Sequence, residues 1–99
     1  MKRNRRNRDW QDPVYQQWRS RVLERDDYCC QMPGCNRKVR KHNLEVHHIK
    51  RWADSYALRY EVSNGITLCK GCHFSIRNKE EYYFSVFHRI VHGKEDEEK

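Results

Sequence analysis

Cysteine and histidine carry the reactive chemistry of this chain, and their spacing says which chemistry. Cys69 and Cys72 stand two residues apart, with His73 directly after them. A Cys-x2-Cys knuckle aims both sulfurs at one ion. Cys30 and Cys35 form an earlier pair, and the turn signal Pro33-Gly34 between them brings their side chains together. Four thiolates satisfy zinc tetrahedrally and leave no open position, so Cys30, Cys35, Cys69 and Cys72 describe a structural site. Cys29 adjoins Cys30, and spacing alone does not decide between them. Four intervening residues fit a knuckle more easily than five, which favours Cys30 and leaves Cys29 a small buried hydrophobe or an idle thiol. An odd number of cysteines leaves one over in a disulfide framework, so metal ligation is the better reading. It implies a reducing compartment, and hence a cytoplasmic protein.

A second constellation is made of histidines. His47 and His48 are adjacent, and the pair can meet His73 at a second site. Neutral imidazole both ligates metals and accepts protons near neutral pH. In an extended strand, strict alternation sends His47 and His48 to opposite faces, so a twisted or frayed strand end is needed if both serve one site. His88 and His92 are four apart on a predicted helix with no further ligand, and His42 falls in a predicted turn; none of the three is taken as a site residue.

The elements that must position these groups are few. Ninety-nine residues make one small domain, and only 36% of them are hydrophobic, so the core is small and a metal staple is expected. Asp12-Pro13 is a good helix start. Val14, Tyr15, Trp18, Val22 and Leu23 then form its apolar stripe, with Arg19, Arg21 and Arg25 on the opposite face. Short strands are predicted at 38–40, 44–49 and 66–68, with Asn64-Gly65 as a turn. A helix should begin near Cys72 and carry His73 and Arg77 on one face. Trp52, Tyr56 and Tyr60 suggest a packing stripe in the 50–63 connection. A last helix runs from Glu80 to Val91, with Tyr83, Val86, Phe87, Ile90 and Val91 inward and Gly93 as its stop. The predicted organisation is a flexible basic arm (1–11), a domain (12–92) and an acidic disordered tail (93–99).

Charge points to a partner. The formal net charge is +7. Clusters at Lys2 to Arg8, at Arg19, Arg21 and Arg25, and at Arg37, Lys38, Arg40 and Lys41 suit phosphate backbones through Coulomb attraction and counterion release. No apolar run is long enough to span a membrane, and no apolar segment follows the basic start, so neither an anchor nor a secretory signal is expected.

Taken together, Leu44-Glu45-Val46-His47-His48-Ile49, Asn64-Gly65-Ile66-Thr67-Leu68-Cys69 and Cys72-His73 resemble the HNH endonuclease family. Arg25 to Cys30 also looks like the approach to that family's first knuckle, which again favours Cys30. The resemblance covers roughly residues 25 to 81 and is closest to small phage- and prophage-type members. It implies an α+β fold: a ββα-metal core stapled by a four-cysteine zinc site, with flanking N- and C-terminal helices. By matching position, it implies that His48 is the general base, that His47 and His73 ligate a catalytic divalent cation, and that Asn64 holds the loop and helps orient the base. Related members often carry another histidine one turn after His73, where this chain has Arg77. Two protein ligands are then expected, and such an open site suits manganese or magnesium better than zinc. Arg77 cannot ligate a cation and would contact a phosphate instead.

The expected activity is hydrolysis of DNA phosphodiester bonds with low sequence specificity, nicking one strand per event, as a monomer or weak dimer. DNA is the expected partner, together with a phage terminase or other packaging protein. Arg77, Arg19, Arg21, Arg25, Lys38 and Arg40 are the expected nucleic-acid contacts. The competing expectation is a degraded HNH scaffold that binds nucleic acid without cutting. A histidine base predicts activity that falls as pH drops through about 6.5.

Overall fold

The computed structural model describes residues 11–35, 43–51 and 56–97, with side chains to Lys94. Most of the basic arm, the predicted strand at 38–40 with Lys38 and Arg40, His42 and Trp52 lie outside them. The described elements run α1 (Pro13–Arg25), β1 (Leu44–His48), β2 (Gly65–Cys69), α2 (Lys70–Ser75) and α3 (Glu80–Glu97). This is a small α+β molecule with one two-stranded sheet, consistent with a ββα-metal core.

Helix α1 starts where its capping chemistry demands. Asp12 Oδ1 accepts from the Val14 amide at 2.9 Å, and Pro13 occupies the first helical position. Tyr15, Trp18, Val22 and Leu23 are buried, and full burial of such side chains stabilises by about 1.5–3 kcal/mol each. Val14, expected in the same stripe, is 51% exposed instead. It sits in the first turn, one residue before the face that meets the sheet. After Asp26 the chain turns sharply, with Asp27 and Tyr28 both at φ 56, and this reversal delivers Cys29 and Cys30.

The two strands pair antiparallel with each other, His47 opposite Ile66 and His48 opposite Gly65. Asn64-Gly65 is not the hairpin turn that the dipeptide suggested. Asn64 closes a short 3-10 turn over Val62–Asn64, and Gly65 is the first residue of β2 with an ordinary extended φ of −121. The glycine is required by close approach: a Cβ there would lie 2.7 Å from side-chain atoms of both Trp18 and Val22.

Two further expectations are corrected. Helix α2 begins at Lys70 and ends at Ser75, so Arg77 lies in the turn beyond it and not on the helix with His73. Helix α3 runs through Gly93 to Glu97, where a stop and an unstructured tail were expected. Lys94 supplies the reason, reaching buried Asp26 at 3.7 Å and tying the last turn to the end of α1. Within the aromatic stripe of the connection, Tyr60 packs edge-on to Trp18, whereas Tyr56 is 82% exposed.

Candidate active site and metal centre

The four-sulfur centre is assembled from three directions. Gly34, at φ +86, and the bond from the Cys35 amide to the Met32 carbonyl make the turn that faces Cys35 toward Cys30. Cys69 ends β2 and caps α2, and Cys72 lies one helical turn on. The ligand atoms of Cys30, Cys35, Cys69 and Cys72 all lie within 4.8 Å of one another. Zn–S bonds of about 2.3 Å in a tetrahedron put sulfurs about 3.8 Å apart, so the donor set can hold a structural metal such as zinc. Cys29 is excluded, its thiol turned to the Asp27 carbonyl at 3.3 Å.

Crowding perturbs these thiols. Burial pushes the Cys30 thiol up, and burial together with neighbouring thiols pushes Cys72 up strongly. At Cys69, burial acts the same way but is outweighed by hydrogen bonds from the Cys72 backbone and the other thiols, so its net displacement is downward. Sulfurs this close resist sharing several negative charges, and a cation at their centre relieves that resistance.

The histidines form a second centre on the same strand. Alternation along β1 does send them to opposite sides. His47 is buried against the edges of His73 (centroids 5.3 Å apart) and Phe87 (5.6 Å). His48 stacks on the Trp18 face, with ring centroids 4.2 Å apart and planes 19° apart. Trp18 is itself held by its indole N–H, which donates to the Glu61 carbonyl at 2.8 Å. Yet His47, His48 and His73 all line one open cleft of about 920 Å³. Being at the strand end, β1 brings both neighbours to it without a break in pairing.

The ring orientation of His48 follows from its partner. Its Nε2 lies 2.9 Å from the Arg59 carbonyl oxygen. A carbonyl only accepts, so a neutral His48 carries its proton on Nε2 and its lone pair on Nδ1. Asn64 secures that carbonyl indirectly. Its Oδ1 accepts from the Lys50 amide at 2.7 Å, while its Nδ2 donates to the Lys50 and Leu58 carbonyls, both at 3.1 Å. The connection leaving β1 is thereby pinned at both ends beside Arg59.

His73 has a partner that the sequence reading missed. Its Nδ1 bonds a carboxylate oxygen of Glu45, which shares with His47 the same side of β1 by a two-residue step. A carboxylate that takes Nδ1–H leaves the lone pair on Nε2, the arrangement by which proteins present histidine to metals. The alternation of Glu45 and His47 was the available signal. Arg51, Lys70 and Phe74 also line the cleft and were not singled out, because single cations and aromatics in an unaligned sequence carry no pattern. His88 and His92 stack on each other along α3, with centroids 3.9 Å apart, and do not line the cleft.

The cations expected to contact nucleic acid divide. Arg21 is exposed. Arg19 is partly buried and donates to the Leu44 carbonyl at 3.1 Å. Arg25 is a correction. Its guanidinium grips Asp26 through two bonds of 2.9 and 2.8 Å and donates to the Val62 and Gly65 carbonyls at 2.9 and 2.7 Å. With its side chain 8% exposed, it is committed to the interior. The reason lies in Asp26, a fully buried carboxylate that also accepts from the Thr67 amide and needs a cation beside it. Arg77 lines the cleft.

No helix among the described residues is long and apolar enough to cross a membrane. No curated protein and no solved structure matches the chain. The family model for HNH endonuclease matches residues 30–79, half of the sequence and the span that holds both knuckles, the histidine pair, Asn64 and His73; the chain belongs to the HNH endonuclease family.

Proposed function

We propose that this protein is a metal-dependent endonuclease that hydrolyses DNA phosphodiester bonds, with His48 as general base. The observation that carries the reading is the clamp on that ring: a stacked indole on one side and a carbonyl that holds the proton on Nε2. A base that must accept a proton at one atom gains from having its tautomer and orientation set in advance. Simple binding of nucleic acid requires neither.

The reaction runs as an in-line displacement. A water oxygen forms a bond to phosphorus as its proton passes to Nδ1 of His48, and the bond from phosphorus to the leaving oxygen breaks. The leaving oxygen takes up a proton, and His48 returns its own to solvent. His47 and His73 would hold the divalent cation that the family implies, and Glu45 would orient His73. Two imidazoles in an open cleft leave the remaining positions to water and phosphate oxygens, which suit manganese or magnesium. When bound, such a cation stabilises charge on the phosphate oxygens as a Lewis acid. Arg51, Lys70 and Arg77 supply further positive charge in the same cleft. One active site per chain gives a nick per event. Cleft cations that read only phosphate give little sequence preference. The resemblance to phage-type members makes a packaging protein such as terminase the candidate protein partner.

A second reading, a scaffold that binds DNA without cutting, draws on Arg77 where relatives often have another ligand. Supercoiled plasmid separates the two. Wild type should convert it to open circles with manganese or magnesium and not without added cation. His48→Ala should lower the rate by about 10² to 10⁴, the usual contribution of a general base. A folded, zinc-loaded wild type that shifts DNA on a gel but leaves it uncut with either cation would establish the binding scaffold.

A further inference from the structure

The cleft has an apolar lip. Phe74, directly after His73, lines it and is 68% exposed. Scattered apolar side chains are common on surfaces, but this one is built in. Its neighbours are tethered on two sides: Cys72, on α2, to the four-sulfur centre, and Ile76, just past the end of α2 and 1% exposed, to the core. The Arg77 guanidinium carbon lies 5.2 Å from the centroid of the Phe74 ring. That guanidinium forms no ion pair among the described residues. An exposed aromatic ring with a guanidinium over one face and its other face left for a base, and the cations Arg51 and Lys70 in the same cleft, make one surface. It offers a π face to a base and positive charge to the phosphates on either side.

Bases inside a duplex are already stacked on each other and offer no face. An unpaired base does. Resting on the nuclease reading above, we propose that Phe74 is a stacking platform for an unpaired base next to the scissile phosphate, with Arg77 holding the neighbouring phosphate. The enzyme then acts preferentially where DNA is opened, as at a bubble, a junction or a single-stranded tract.

Steady-state kinetics on two oligonucleotides of identical sequence, one fully paired and one with a central bubble, test this. Wild type should show a KM about tenfold lower on the bubble, a single base stack's worth of affinity. Phe74→Leu should raise the bubble KM to the duplex value with kcat within about twofold, and Phe74→Trp should restore the low KM. Tyr82→Leu removes an equally exposed aromatic outside the cleft and should leave both KM values unchanged. Equal KM values for wild type on both substrates, or a bubble advantage that survives Phe74→Leu, would overturn the platform while the nuclease reading stands. If neither substrate is cut, the nuclease reading fails instead. Fluorescence anisotropy without added divalent cation then decides the platform alone: Phe74→Leu should weaken bubble binding about tenfold, and unchanged binding would overturn it.

Discussion

At the scale of single residues, charge type does not say which way a side chain faces. Arg25 and Arg21 are four apart on α1 and equally basic, yet one is exposed and the other grips a buried carboxylate and two carbonyls of the segment 62–65. Removing one member of a buried ion pair leaves the other uncompensated, at a cost of about 3–5 kcal/mol. Arg25→Ala should therefore lower stability by that order in denaturant melts, whereas Arg21→Ala should stay within about 0.5 kcal/mol. Equal effects would show that Arg25 does not clamp the fold. Glu45 teaches the same lesson at the candidate site. The histidines were legible because their types are rare and their spacing is specific. Their carboxylate partner was not, since a glutamate on a strand reads as a solvated face until His73 is brought across to it by α2.

At the scale of elements, β2 is where fold and site meet. Gly65 opposes His48 across the sheet, and the space its missing Cβ leaves is filled by Trp18, the ring on which His48 stacks. Gly65→Ala should destabilise by about 1–3 kcal/mol through overpacking. It should also lower plasmid nicking beyond what the melt accounts for, because the indole must shift under His48. Nicking that is unchanged in the folded fraction would show that the Trp18 stack does not matter. The dipeptide Asn64-Gly65 suggested a tight turn, and each residue serves a different purpose: Asn64 bonds Lys50 and Leu58, and Gly65 admits Trp18. Both answer to partners outside the dipeptide, which local turn statistics do not contain.

At the scale of the whole molecule, the four-sulfur centre joins the segment after α1 to β2 and α2, and so to His73. Its metal affinity must depend on pH. Cys30 and Cys72 titrate above the ordinary thiol value, the first mainly through burial and the second through burial and neighbouring thiols. Both hold their protons at neutral pH, and metal binding must displace them, so affinity rises with pH and is lost as pH falls. Calorimetric zinc titrations at pH 7 in buffers of different ionisation enthalpy should show heats that vary with the buffer, because the ligand thiols give up protons as the four-thiolate site forms. Chelation should melt the domain and abolish nicking together. Heats that do not vary with buffer, or a chelated chain that keeps its fold, would remove the staple from the account.

The sequence by itself determined the ligand chemistry, the α1 start at Asp12-Pro13, the apolar face through Trp18 and Val22, and the family, because each rests on residue type at short spacing. Rare side chains at short intervals leave little choice of geometry. Spacing favoured Cys30 over Cys29, and the fold brings Cys30 to the other sulfurs; tertiary structure alone decided that Arg25 turns inward. It alone set Trp18 and the Arg59 carbonyl on His48, placed Glu45 on His73, and carried α3 past Gly93 to hold Lys94 against Asp26. Those are contacts between segments far apart in sequence. Which of them form depends on how helices and strands pack together, and no local pattern of residues encodes that distance.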